Sequence, residues 1–109
     1  MTETANSGEL SREALASYFG NLVNLLFKIL PMRENNEETL SIYIDGLVRE
    51  LIGFRTLFEA IEYDAGLVDI LSIVQYLSEH PDCSLKKVRY DVFRAISICN
   101  KLKLRYAEV

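Results

Sequence analysis

Apolar residues recur along this 109-residue chain at steps of three and four, the spacing that sets side chains on one face of an α-helix. The longest such run is Leu40, Ile44, Leu47, Leu51, Phe54, Phe58 and Ile61, and it predicts a central helix over 36–63. At 1.5 Å per residue that helix would be about 40 Å long, and a rod of that length needs neighbours along its flank. Upstream, Leu15, Tyr18, Leu22, Leu25 and Ile29 predict a helix over 10–30, with Ser7 or Ser11 near its start and Pro31 expected to end it. Downstream, Leu67, Ile70, Leu71, Val74 and Leu77 predict a shorter helix over 66–79. Leu85, Val88, Val92, Ala95, Cys99, Leu102 and Tyr106 then form an unbroken seam that predicts a last helix over 84–106.

The expected caps agree with these limits. Asn35 followed by Glu38 resembles a capping pair for the central helix, Asp64 is placed to cap the third, and Asp82 or Ser84 the fourth. Five glycines and two prolines are too few for the turns of a sandwich or barrel, and both prolines fall between the helical patterns. The expected fold is therefore all-α, a small bundle of about four unequal helices. Residues 9–109 make one domain behind a polar, disordered lead-in over 1–8.

Helix length also bears on function. The short third helix cannot cover the whole flank of the central one, and the first and last helices are apolar over more of their circumference than a single contact uses. The expected consequence is a homodimer or a protein partner, with on the order of 1,000–2,000 Å² buried. Phe19, Val23 and Phe27 widen the apolar face of the first helix, and Phe93 and Ile98 that of the last. Gly46 and Gly53, with Ala60, recur every seven residues on a further flank of the central helix. Glycine inside a helix costs about 0.5–1 kcal/mol relative to alanine, so the repeat predicts a helix crossing there at close range. These residues point to a non-enzymatic interaction module such as an adaptor, assembly factor, small subunit or protein inhibitor.

Charge adds an alternative. The net charge of −4 divides unevenly: residues 1–83 balance at −9 and residues 84–109 at +5. Lys87, Arg94, Lys101 and Arg105 form a basic row that could track phosphates in a nucleic-acid-binding regulator, although such rows are commonly the solvated side of an amphipathic helix. The stretch ILSIVQYLSEHPDCSLKKV resembles the opening of winged-helix regulators. It lacks a turn-forming residue between Val88 and Ala95, where a helix-turn-helix needs one, and no wing follows.

Catalytic chemistry is thinly represented, and no cofactor or metal is expected. The one histidine, His80, stands at a helix end beside Pro81. Glu34-x-x-Glu37 and Glu59-x-x-Glu62 with Asp64 resemble the paired acidic motifs of all-α nucleotide pyrophosphohydrolases, which implies Mg²⁺ held by Glu59, Glu62 and Asp64 as a second alternative. The first pair straddles a loop, however, and the second lacks the family's final Asp spacing, so capping and solvation account for these acids better. Cys83 and Cys99 lie too far apart along a helix to bridge and are expected as reduced thiols of a cytoplasmic protein. The longest uncharged run, Ala14 to Phe27, is too short and too polar to span a bilayer, and the acidic N-terminus has the wrong sign for a signal peptide.

Overall fold

The computed structural model describes residues 3–57 and 64–107, with side chains over 12–56 and 64–107. Among the described residues it is an all-α bundle of four long helices and one short one: α1 (Glu3–Phe27), α2 (Ile29–Glu34), α3 (Leu40–Leu57), α4 (Ala65–Glu79) and α5 (Leu85–Ala107). The bundle is elongated, 51 × 22 × 20 Å. Helices α1 and α5 run antiparallel along most of its length. Arg12 Nη2 donates to the Arg105 carbonyl at 3.0 Å, the Phe27 and Phe93 rings meet in the middle, and Glu34 holds Arg89 at 2.6 Å. Helix α4 packs on both α3 and α5 and so joins the two halves.

The apolar steps are the core. Leu15, Leu22, Leu26 and Ile29 face inward from the first segment, Ile44, Leu47 and Leu51 from α3, Leu67, Ile70 and Val74 from α4, and Val88, Val92, Ala95, Cys99 and Leu102 from α5. Phe19 lies at the centre with no exposed surface. Its ring meets Tyr18 and Phe54 edge-on at 5.8 and 6.2 Å and stacks on Tyr106 at 6.1 Å. By length and composition alone the 23-residue stretch Arg12–Glu34 would pass for a membrane span. Here its inward side chains pack against the chain's own core.

Several element limits differ from those expected, for local reasons. The backbone is already helical at Glu3, so Ser7 and Ser11 lie inside α1. Pro31 does not end the first helix but sits inside α2, in the first turn, where its missing N–H is no loss. Its effect appears four residues earlier: a proline ring crowds the carbonyl of residue i−4, which here is Phe27, and α1 stops there. Tyr43 Oη donates to the Leu25 carbonyl at 2.7 Å and so satisfies one of the acceptors left open at that end.

Asn35 and Glu38 do not form a capping pair. Asn35 is the C-cap of α2, and Asn36 takes the left-handed conformation at φ 52°. Asn36 N–H donates to Arg33 O at 3.2 Å and Glu37 N–H to Met32 O at 3.0 Å, the two bonds of a Schellman ending. The turn uses up the residues that would have begun the central helix, so α3 starts at Leu40 rather than near residue 36. Phe58, Ala60, Ile61, Glu59 and Glu62 lie outside the described residues.

The other two caps form as expected. Asp64 Oδ1 accepts from Gly66 N–H at 2.8 Å and Leu67 N–H at 3.3 Å, and Ser84 Oγ accepts from Lys87 N–H at 3.1 Å. Helix α5 is continuous through Val88–Ala95, so it contains no helix-turn-helix.

Candidate functional site

Helix periodicity places Tyr90, Phe93, Ser97 and Leu104 on the outward face of α5. Tyr90 is 64% exposed, Phe93 50% and Leu104 63%. Phe93 reaches α1, where its ring meets Phe27 edge-to-face at 5.9 Å, and Phe27 is itself 43% exposed. An apolar strip thus crosses from one helix to the next. On α1 it continues toward half-buried Val23 and ends near Gly20, over which the Lys103 side chain lies, its Cε 3.6 Å and its Nζ 3.7 Å from an added Cβ.

The expected interface residues therefore separate. Phe27 and Phe93 are brought together on the surface with Val23 close by, whereas Phe19 is a core residue of its own chain. Ile98 is half-buried and packs against the core. Gly46 and Gly53 are exposed on α3, with nothing within 4 Å of an added Cβ. No helix of this chain crosses them among the described residues. Their flank is bordered by Ile42, 70% exposed, and Ile52, 43% exposed.

The basic row also divides. Lys87 is held at 3.1 Å by Asp91, a carboxylate turned into the core, and its ammonium lies over the Tyr76 ring at 4.9 Å. Arg105 donates to Asp64 Oδ2 at 2.7 Å. Arg94 and Lys101 are exposed and have no ion pair among the described residues, and the same holds for Lys86 and Lys103, which the basic row did not include. Lys28, Arg49 and Arg55 are likewise without an ion pair among the described residues, but of the unpaired cations Lys86, Arg94 and Lys101 are the ones on α5 beside the apolar strip.

A cavity of about 320 Å³ opens at the end of the bundle, between the turn after α2 and the turn before α5. Ile29, Ile44, Leu77 and Val88 contribute its apolar lining, and Glu37, Glu38 and Asp82 lie at its exposed edge. Arg33 spans one wall, donating to Asn36 Oδ1 at 3.3 Å and to the Cys83 carbonyl at 3.1 Å, while its Nε is buried without a partner. Burial, followed by the charge of Asp91, pushes the Cys83 thiol above its ordinary value and keeps it protonated. The His80 ring stacks on Tyr76 at 4.0 Å, and its Nδ1 lies 2.9 Å from the Tyr76 carbonyl, which fixes it as part of the α4 C-cap. The described lining does not set a nucleophile against a base.

Asp64 has little capacity left for a metal. One oxygen caps α4, and the other accepts from Arg105 and from Tyr106 Oη at 3.3 Å. Among the described residues no three histidine, cysteine or acidic side chains converge as metal ligands. Both cysteines are free thiols; Cys99 is fully buried, and burial pushes its pKa up to about 12.

No known protein family, curated protein or solved structure matches this chain. Function has to be read from the surface itself. Sequence periodicity marks Phe27, Phe93 and Leu104 as surplus apolar positions, but Tyr90 is not joined to Leu104 in one strip. The usable signal was their spacing of fourteen residues, which returns to the same face of α5 after four turns.

Proposed function

We propose that the chain is a non-enzymatic interaction module that binds another protein through the apolar strip shared by α1 and α5. The observation that carries this reading is the Phe27–Phe93 pair, two aromatic side chains packed together at 5.9 Å while each keeps two fifths or more of its surface in water. Apolar residues scattered singly over a surface are ordinary, but a strip continuous across two helices has the form of a docking face. It extends along α5 through Tyr90 and Leu104, about 21 Å apart at the helical rise. A partner covering it would gain roughly 25 cal/mol for each Å² of apolar surface removed from water.

The nucleic-acid alternative is less well supported, because Lys87 and Arg105 are engaged within the chain and only part of the basic row is available. Retention experiments test the main reading. The immobilised chain and a Phe93→Ser/Leu104→Ser variant are exposed to the same cell extract at low and moderate salt. Retention of a protein by the wild type, reduced about tenfold or more in the variant and still present at the higher salt, is the expected result. Equal retention by both chains, or retention only of nucleic acid that is lost steeply as salt rises, would overturn it.

A further inference from the structure

The surroundings of the strip restrict what can cover it. Lys86 lies one turn before Tyr90, Arg94 one turn after it, and Lys101 three residues before Leu104; all three are exposed and without an ion pair among the described residues. Asp91, the one acid on α5 before Glu108, is turned inward and held by Lys87. The outward face of α5 therefore carries Tyr90, Phe93 and Leu104, with Ser97 and Asn100 between them, Arg94 and Lys101 along one side and Lys86 at the near end, and no described carboxylate of its own neutralises those cations.

We propose, resting on the interaction reading above, that the occupant of this strip is an amphipathic helix of a partner protein carrying carboxylates beside an apolar stripe. Such a helix would lay its apolar residues against Phe27, Tyr90, Phe93 and Leu104 and bring its acids to Lys86, Arg94 and Lys101. The strip's length of about 21 Å corresponds to four helical turns. A second copy docking α5 on α5 would instead oppose Arg94 and Lys101 with the same cations, and like charges brought together across an interface are unfavourable. An anionic bilayer would meet the −9 balance of residues 1–83.

The test uses two synthetic labelled peptides of about 18 residues with the same leucine stripe, one flanked by Glu and the other by Lys. Each is titrated with the full chain by fluorescence anisotropy at about 50 and 200 mM salt. The Glu peptide should bind about tenfold or more tightly than the Lys peptide at the lower salt, with the gap narrowing at the higher. Arg94→Glu/Lys101→Glu should invert the order, and Phe93→Ser should weaken the Glu peptide. Equal binding of both peptides, no binding of either, or binding only to phosphatidylserine vesicles run in parallel would overturn the proposal. If extract retention still depends on Phe93 while the two peptides bind alike, the acidic-helix inference fails and the interaction reading stands.

Discussion

Arg105 meets Asp64 at 2.7 Å, and the carboxylate it meets is the one that caps α4. A single acid thereby starts one helix and anchors the far end of another, forty-one positions along the chain. The two halves of this arrangement differ in value. The Asp64 side chain is 9% exposed and serves two backbone N–H groups, whereas Arg105 is 60% exposed and its pairing is screened by solvent. Asp64→Ala should lower stability by about 1–2 kcal/mol, as expected for loss of a cap. Arg105→Ala should cost less than about 1 kcal/mol. Denaturant melts of both variants measure the difference, and equal losses would show that the ion pair matters more than the cap.

Three glycines make opposite predictions. At Gly46 and Gly53 an added Cβ meets nothing within 4 Å, so alanine should stabilise the isolated chain by about 0.5–1 kcal/mol at each site. At Gly66 the same Cβ would approach Leu102 and Asp64 Oδ1 at 3.1 Å, against a buried leucine and the capping oxygen. Gly66→Ala should therefore destabilise, by about 1 kcal/mol after its gain in helix propensity is offset. If Gly46→Ala or Gly53→Ala also lowers the melting temperature, or breaks an oligomer seen by sedimentation, a helix of a second molecule crosses that flank.

Alkaline pH should unfold the chain before moderate acid does. Burial holds the Cys99 thiol up to about 12, against 9.0 for the free group, and it raises the phenols of Tyr18, Tyr43 and Tyr106 in the same direction. In the window from about pH 9 to 12 the folded thiol keeps a proton that the unfolded chain releases, so stability falls as pH rises through it. Below that window the contribution is complete and constant. Denaturant midpoints measured from pH 7 to 11 should decline above 9, and Cys99→Ala, though less stable throughout, should decline less steeply. The same burial makes Cys83 the first thiol to react with a colorimetric reagent in the native state.

The core faces were legible because a helix pattern repeats many times over. The α5 seam places Val88, Val92, Ala95, Cys99 and Leu102 inside as its spacing requires, and the α3 run does the same for Ile44, Leu47 and Leu51. What failed to show were single-residue events at helix ends. Pro31 acts on a carbonyl four residues behind it, so the break appears at Phe27 and not at the proline. Asn36 carries a left-handed backbone that its neighbours do not announce, and that one angle turns an expected helix start into the end of α2. The strip on α5 was only half legible for another reason. Periodicity sorts residues by face, but whether a wide apolar face is covered depends on which neighbour lies beside it, and that is a tertiary fact.

Phe19 and Phe93 show the consequence, because both counted as surplus apolar positions in the sequence and the fold gives them opposite roles. Phe19 is fully buried among Tyr18, Phe54 and Tyr106, so Phe19→Ala removes a ring from a packed core and should cost about 3–5 kcal/mol. Phe93 already has half its surface in water and chiefly loses its edge contact with Phe27, so Phe93→Ala should cost no more than about 1 kcal/mol. The order should reverse for binding. Phe93→Ala should weaken partner retention by about tenfold with the circular dichroism spectrum unchanged. Whatever Phe19→Ala does to binding should track the fraction of folded chain and nothing more. A Phe93→Ala chain that melts as early as Phe19→Ala would make the strip part of the core and remove the reason for a partner.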